Sequence, residues 1–146
     1  MIVDRPQRVT PPASPGELLK RFTERAERRA LRHSADHNPA YLALIRQLPC
    51  LKCGMEPSSE AAHVRYNSGA HGKHNGMGKK PADRWAVPLC GDCHRTDRDA
   101  LHQIGEGLFW YLLGIDPLLI CDRLYAKRGD FGAMRAMALL AIAGRK

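Results

Sequence analysis

Two cysteine pairs carry the most specific chemistry in this chain: Cys50-Leu-Lys-Cys53 and Cys90-Gly-Asp-Cys93. A Cys-x-x-Cys pair sets two thiolates on one tight turn, and two such pairs supply the four soft ligands of a tetrahedral zinc site. The second pair runs directly into His94, so Cys90–His94 also fits the attachment motif of a c-type haem. Covalent haem attachment follows export, however, and the first residues, MIVDRPQRVTPPASPGE, lack the apolar segment of a signal peptide. The sequence therefore predicts a cytoplasmic chain, where disulfides are rare. Zinc uses all four paired thiolates and leaves only Cys121, which lies in the apolar run LLICDRLY and is expected in the core.

The spacing of the pairs raises the next question. They are separated by 36 residues, whereas simple zinc ribbons use roughly 15–20. A structural Zn²⁺ holds its thiolates at about 2.3 Å, so the whole intervening segment is tied to one base. AAHVRY reads as a strand, and RWAVPLC as a second one interrupted by Pro88. Between them lies a loop rich in glycine. From Ala61 to Ala82 there are no acids, but there are Arg65, Lys73, Lys79, Lys80 and the histidines His63, His71 and His74. Gly69, Gly72, Gly76 and Gly78 allow such a loop to approach another backbone closely. The net charge of +8 and pI near 9.6 point the same way: a basic surplus favours polyanionic partners, nucleic acid first. A soluble protein that merely happens to be basic is the plain alternative.

The order strand, basic loop, strand and helix, with His63 on the first strand and His94 and His102 on the helix, is the layout of a ββα-metal nuclease site. The residues AAHVRY, GMGKKPADRWAVPLCGDCHR and LHQIGE together resemble the HNH endonuclease superfamily. More narrowly they are similar to phage and prophage recombination-enhancement (Ref-type) nucleases, and GEGLFWYLLGIDPLLICDRLY looks like the helical extension of that group. The resemblance covers about residues 48 to 126. It implies that His63 is the general base that takes a proton from the attacking water. It implies that His94 and His102 bind a catalytic divalent ion (Mg²⁺, Mn²⁺ or Zn²⁺), with Asp83 as a ligand or supporting group. Arg65, Lys73, Lys79, Lys80 and Arg84 would hold the DNA backbone. Such contacts carry no base information, so little sequence specificity and a steep salt dependence are expected. A recombinase or another phage DNA-processing protein would be a partner, and the oligomeric state is left open.

Two positions depart from the superfamily pattern. Ala62 stands where many members carry a metal ligand before the base, and Trp85 stands near the place of the usual Asn; Asn75 in the loop is the nearest alternative. His94 can also be read as a buttress of the cysteine turn. A non-catalytic zinc module that binds nucleic acid uses the same cysteines and charges without needing His63. A zinc deaminase requires H-x-E and P-C-x-x-C; here His63-Val64-Arg65 has no Glu, and Pro88 is one residue early.

The remaining elements position this site. Residues 1–13 read as a flexible arm and 14–47 as a basic helical region. Its first helix spans about 15 to 33, with Ser14 and Glu17 as a capping box, and its second starts at Asn38 and Pro39. The Arg-rich face is either solvated or in contact with phosphates. Residues 48–126 form the zinc-stapled domain with its helical extension, and 127–146 a final apolar helix. No run approaches the roughly 20 apolar residues of a membrane span. His33 and His37 are expected to be structural or exposed, His71 and His74 to make loop or phosphate contacts, and Trp85, Phe109 and Trp110 to lie in the core. The predicted class is α+β: a small ββα-metal, treble-clef-like core embedded in a helical chain.

Overall fold

The computed structural model describes residues 13–145, with side chains at all of these except 31–35. The predicted arm thus lies outside the described residues apart from Ala13. The chain divides into two compact units between Ser34 and Ala35. The first is most of helix α1 (Pro15–Asp36). Its start follows from local chemistry: the Ser14 hydroxyl accepts the Glu17 backbone N–H at 3.3 Å, and Pro15 occupies the first turn, where its missing N–H costs nothing. Glu17–Arg21 and Glu24–Arg28 pair one turn apart at 2.6 and 3.6 Å, each a support of only about 0.2–0.5 kcal/mol at this exposure.

The second unit holds α2 (Pro39–Gln47), the strands β1 (Glu60–His63) and β2 (Ala86–Leu89), and the helices α3 (Leu101–Ile104), α4 (Glu106–Leu113), α5 (Pro117–Ala126) and α6 (Phe131–Ala143). The helix starts are written in the sequence. Asn38 Oδ1 accepts the Tyr41 N–H at 3.0 Å, Asp116 Oδ1 accepts those of Leu118 and Leu119 at 3.0 and 3.3 Å, and Asp130 Oδ1 accepts that of Ala133 at 3.0 Å. Each satisfies a backbone donor that a helix cannot satisfy itself. Gly114 ends α4 in the left-handed region at φ 64, where a side chain would be strained.

The two strands pair antiparallel, with Glu60 opposite Leu89, Ala61 opposite Pro88, Ala62 opposite Val87 and His63 opposite Ala86. They are shorter than AAHVRY and RWAVPLC suggest. Val64 N–H still reaches Trp85 O at 2.8 Å, but Arg65 and Tyr66 have left the ladder. The Pro88 carbonyl accepts the Leu51 N–H at 3.0 Å, which ties β2 to the first cysteine turn.

Helix α2 packs on both strands, α5 on β2 and on the turn at Asp83–Trp85, and α6 on α5. The core is mainly aliphatic, with Ile45, Leu48, Val87, Leu89, Leu118 and Leu124 buried and Trp85, Phe109, Trp110 and Cys121 among them. Full burial of such a side chain is worth about 1.5–3 kcal/mol. Tyr41, Leu42 and Ile45 make α2 part of this core, so the compact unit begins at Ala35 rather than after residue 47. Met134 and Ala138 bury one face of α6 while Leu140 stays exposed. No described helix is long and apolar enough to cross a membrane. Among the described residues the architecture is mixed, mostly helical with one two-stranded sheet.

The segment after Cys90 departs from the expected single helix. A wide helical turn spans Asp92–Thr96, the backbone becomes extended at Asp97 (φ −63, ψ 153), and α3 starts only at Leu101. His94 and His102 therefore sit on separate elements.

Candidate functional site

The four Sγ atoms of Cys50, Cys53, Cys90 and Cys93 lie within 4.8 Å of one another. Cys53 and Cys90 approach to 3.6 Å. A tetrahedron with metal–sulfur distances of about 2.3 Å has edges of about 3.8 Å, so this donor set fits a metal ion such as zinc. All four are free thiols. The first turn closes through the Gly54 N–H, which donates to Cys50 O at 2.8 Å; Gly54 lies at φ 80, a conformation that suits glycine. In the second turn the Cys93 N–H points at Cys90 Sγ at 3.5 Å and the His94 N–H donates to Cys90 O at 2.9 Å.

At the far end of β1 stands a second arrangement. His63 Nε2 lies 2.9 Å from Asp83 Oδ1. Asp83 is only 1% exposed, yet it is fully engaged: its Oδ2 accepts the Asn38 N–H at 2.8 Å and meets His37 Nδ1 at 3.1 Å, and Lys80 Nζ is 3.3 Å from Oδ1. Burial works to raise the Asp83 pKa, but the Asn38 N–H, His63 and Lys80 outweigh it and hold the carboxyl below its ordinary value. An ionised carboxylate can only accept, so His63 carries its proton on Nε2 and presents the Nδ1 lone pair. Burial also pushes the His63 imidazole below its ordinary value; the bond to Asp83 opposes this, and the charges of Lys80 and Arg65 reinforce it. The ring is therefore neutral at neutral pH. It lines a cleft of about 620 Å³ with Arg65, Asn67, Asn75, Lys79 and Lys80.

His94 belongs to a third arrangement, at the opposite end of β1. Its Nδ1 lies 2.7 Å from Glu60 Oε2, and Arg95 pairs with the same carboxylate. The ring meets that of His102 edge-on, with centroids 4.5 Å apart. A histidine held by a carboxylate at Nδ1 has its Nε2 directed away from that carboxylate, the arrangement common among metal-ligating histidines. Glu60 and His63 are three residues apart on a strand, which is about 10 Å and places them on opposite faces. The expected shell of His94, His102 and Asp83 is thus not gathered in one place. Among the described residues only the four cysteines form a group of three or more ligands. The donor set for a catalytic cation does not close, because Asp83 is drawn to His63 and Asn38 while His94 is drawn to Glu60.

Two of the expected DNA-contacting cations are committed elsewhere. Lys73 is 1% exposed, and its Nζ donates to the carbonyls of Tyr66 and Arg65 at 2.6 and 3.3 Å. It pins the base of the loop from inside and cannot reach a phosphate. The guanidinium of Arg84 pairs with Asp122 Oδ1 at 2.8 Å and stacks on Trp85 and Tyr125. Arg65, Lys79 and Lys80 are exposed on the cleft. His71 is tied to Asp122 Oδ2 at 2.8 Å, which anchors the loop to α5. His37, expected as structural or exposed, lies beside Asp83, and the side chain of His33 is outside the described set.

Reasoning from the sequence missed Glu60 and Asp122. Glu60 is the one acid just ahead of the His63 strand, and strand periodicity alone shows that it faces away from His63. That it would meet a residue 34 positions later has no local signal.

No curated protein and no solved structure matches the chain. A family model matches residues 25–105, a stretch that includes the four cysteines, His63, Asp83, His94 and His102. As that match covers more than half of the chain, the protein belongs to the family described as "Protein of unknown function (DUF968)".

Proposed function

We propose that this protein is an HNH-type endonuclease that hydrolyses DNA phosphodiester bonds with little sequence specificity, with the cysteine cluster as its structural zinc site and the two strands as its ββα-metal hairpin. One observation carries the reading: a neutral imidazole, His63, is held at 2.9 Å by a buried, ionised Asp83 and opens onto a cleft with Arg65, Lys79 and Lys80. Hydrolysis needs an activated water and cations on the phosphate. His63 Nδ1 would take the proton of the water; Asp83 fixes the tautomer and supports the charge that the ring acquires. Arg65, Lys79 and Lys80 would hold the phosphate oxygens. A divalent ion would neutralise charge on the scissile phosphate in such an enzyme. His94 and His102 have the donor chemistry for such an ion, but they stand at the opposite end of β1 from His63 and do not line its cleft. A phage or prophage origin and a role in recombination rest on the family resemblance.

A second reading, a zinc module that binds nucleic acid without cleaving it, is favoured by that unclosed cation shell. Plasmid nicking by the zinc-loaded protein with added Mg²⁺ or Mn²⁺ separates the two. Cleavage that disappears in His63→Ala supports the enzyme. DNA binding without cleavage at any divalent ion leaves the binding module.

A further inference from the structure

We propose that the pocket between Tyr66, Trp110 and Tyr111 receives an unpaired nucleobase from the strand whose phosphates lie in the His63 cleft. The inference rests on the nucleic-acid reading above and adds to it the form of the substrate: a single strand, not intact duplex.

The placement comes from the segment Arg65-Tyr66-Asn67-Ser68. Its residues alternate between two cavities: Arg65 and Asn67 line the His63 cleft, while Tyr66 and Ser68 line a second cavity of about 440 Å³ together with His71, Trp110, Tyr111 and Asp116. One short stretch of chain is therefore a common wall of both. A nucleotide backbone on the cationic side and a base in the second cavity would face each other across that wall.

The chemistry of the two sides divides the same way. The cleft offers Arg65, Lys79 and Lys80. The second cavity offers three aromatic rings and no free cation among the lining residues, and Asp116 stands at its rim, with Asp122 behind His71. A phosphate would meet carboxylates there, whereas a base would meet π-faces and hydrogen-bonding edges. Tyr111 is 81% exposed, a large aromatic surface without cover. Trp110 is 3% exposed, and its Nε1–H has no acceptor among the described residues, which is unusual for a buried indole. The polar wall is fixed in place: His71 Nδ1 is held by Asp122, which also holds Arg84, and Asp116 Oδ1 caps α5. Aromatic platforms beside a basic groove are the general means of gripping single strands, since every base has a face to stack.

The test measures binding by fluorescence anisotropy with the zinc-loaded full chain and no added Mg²⁺ or Mn²⁺, so cleavage plays no part. The probes are labelled dC12, a 12-nucleotide abasic strand with the same phosphates, and a duplex. Expected is a dC12 affinity at least about 5-fold above the abasic strand, the lower end of the effect of one stacked base. Tyr111→Ala, whose ring is exposed and not needed for folding, should weaken dC12 by about 5- to 150-fold and leave the abasic strand and duplex within 2-fold. Tyr66→Leu, which keeps an apolar side chain beneath the loop, should do the same. Equal affinity for dC12 and the abasic strand, or a uniform loss on all three probes, overturns the proposal. Absence of nicking with divalent ions counts against the nuclease reading alone and leaves this binding comparison intact.

Discussion

His63 Nε2 and Asp83 Oδ1 stand 2.9 Å apart although they lie 20 positions apart in the chain. The contact closes the basic loop at its root, since His63 ends β1 and Asp83 opens the turn that leads into β2. It also sets which nitrogen of the ring faces the cleft.

On the nuclease function proposed above, this pair predicts a graded loss of cleavage. His63→Ala removes the base and should lower the nicking rate by about 10²–10⁴-fold. Asp83→Asn keeps a partner for the ring but removes its charge, so the rate falls less. The same change withdraws support from the protonated ring, and the acidic limb of the pH–rate profile should move to lower pH. Nicking rates measured between pH 5 and 9 check both, and an unmoved acidic limb in Asp83→Asn would show that this carboxylate does not act through His63.

Acid should destabilise the fold in two stages. The folded His63 pKa lies below its ordinary value, so as pH falls below about 6.5 the unfolded chain takes up a proton that the folded one refuses, and stability declines. The folded Asp83 pKa is also depressed; its contribution is present above about pH 4 and is lost as pH drops through the folded value. Denaturant unfolding at stepped pH tests this. At equal zinc content His63→Gln should shrink the first decline, to which His102, also held below its ordinary value by burial and by nearby positive charge, contributes, and should retain the second.

Metal removal should unfold the second unit. Cys50, Cys53, Cys90 and Cys93 join two turns far apart in the chain, and structural zinc sites supply about 10–16 kcal/mol at neutral pH. One equivalent of zinc by elemental analysis, loss of the circular-dichroism signal on chelation, and failure of Cys90→Ser to retain metal are the expected outcomes. A fold that survives chelation unchanged would refute a structural role for the metal.

Lys73 and its neighbours should behave oppositely although all are loop cations. Lys73→Met leaves the Arg65 and Tyr66 carbonyls without a donor, a cost of about 1–3 kcal/mol, and should lower the unfolding midpoint without altering the salt dependence of DNA binding. Lys79→Ala should leave stability nearly unchanged, and Lys80→Ala should cost no more than its exposed pairing with Asp83 supplies, about 0–1 kcal/mol. Each that holds a phosphate should reduce the slope of log affinity against log salt by about 0.9. Affinities at several salt concentrations distinguish the two classes.

Much of the molecule was legible in the chain because it is governed by neighbours within four residues. Asn38-Pro39 starts a helix where expected, and Asp116 and Asp130 cap α5 and α6, since a cap needs only a side-chain oxygen and a nearby N–H. The cysteine pairs announced their cluster because two turns of fixed spacing have few other uses. The expected helix bearing both His94 and His102 was misread at Asp97, where the backbone turns extended and separates the rings onto two elements that still touch.

By itself, then, the sequence determined the ligand set, the helix starts and the excess of positive charge, all properties of residue type and short spacing. Only the tertiary structure decided which carboxylate meets which imidazole: Asp83 with His63, Glu60 with His94, Asp122 with His71. It likewise decided that Lys73 points inward while Lys79 and Lys80 stay on the cleft. The reason is that partners 20 to 51 residues apart are chosen by how α2, the two strands and α5 pack, and packing depends on the shape of the whole core rather than on any local stretch.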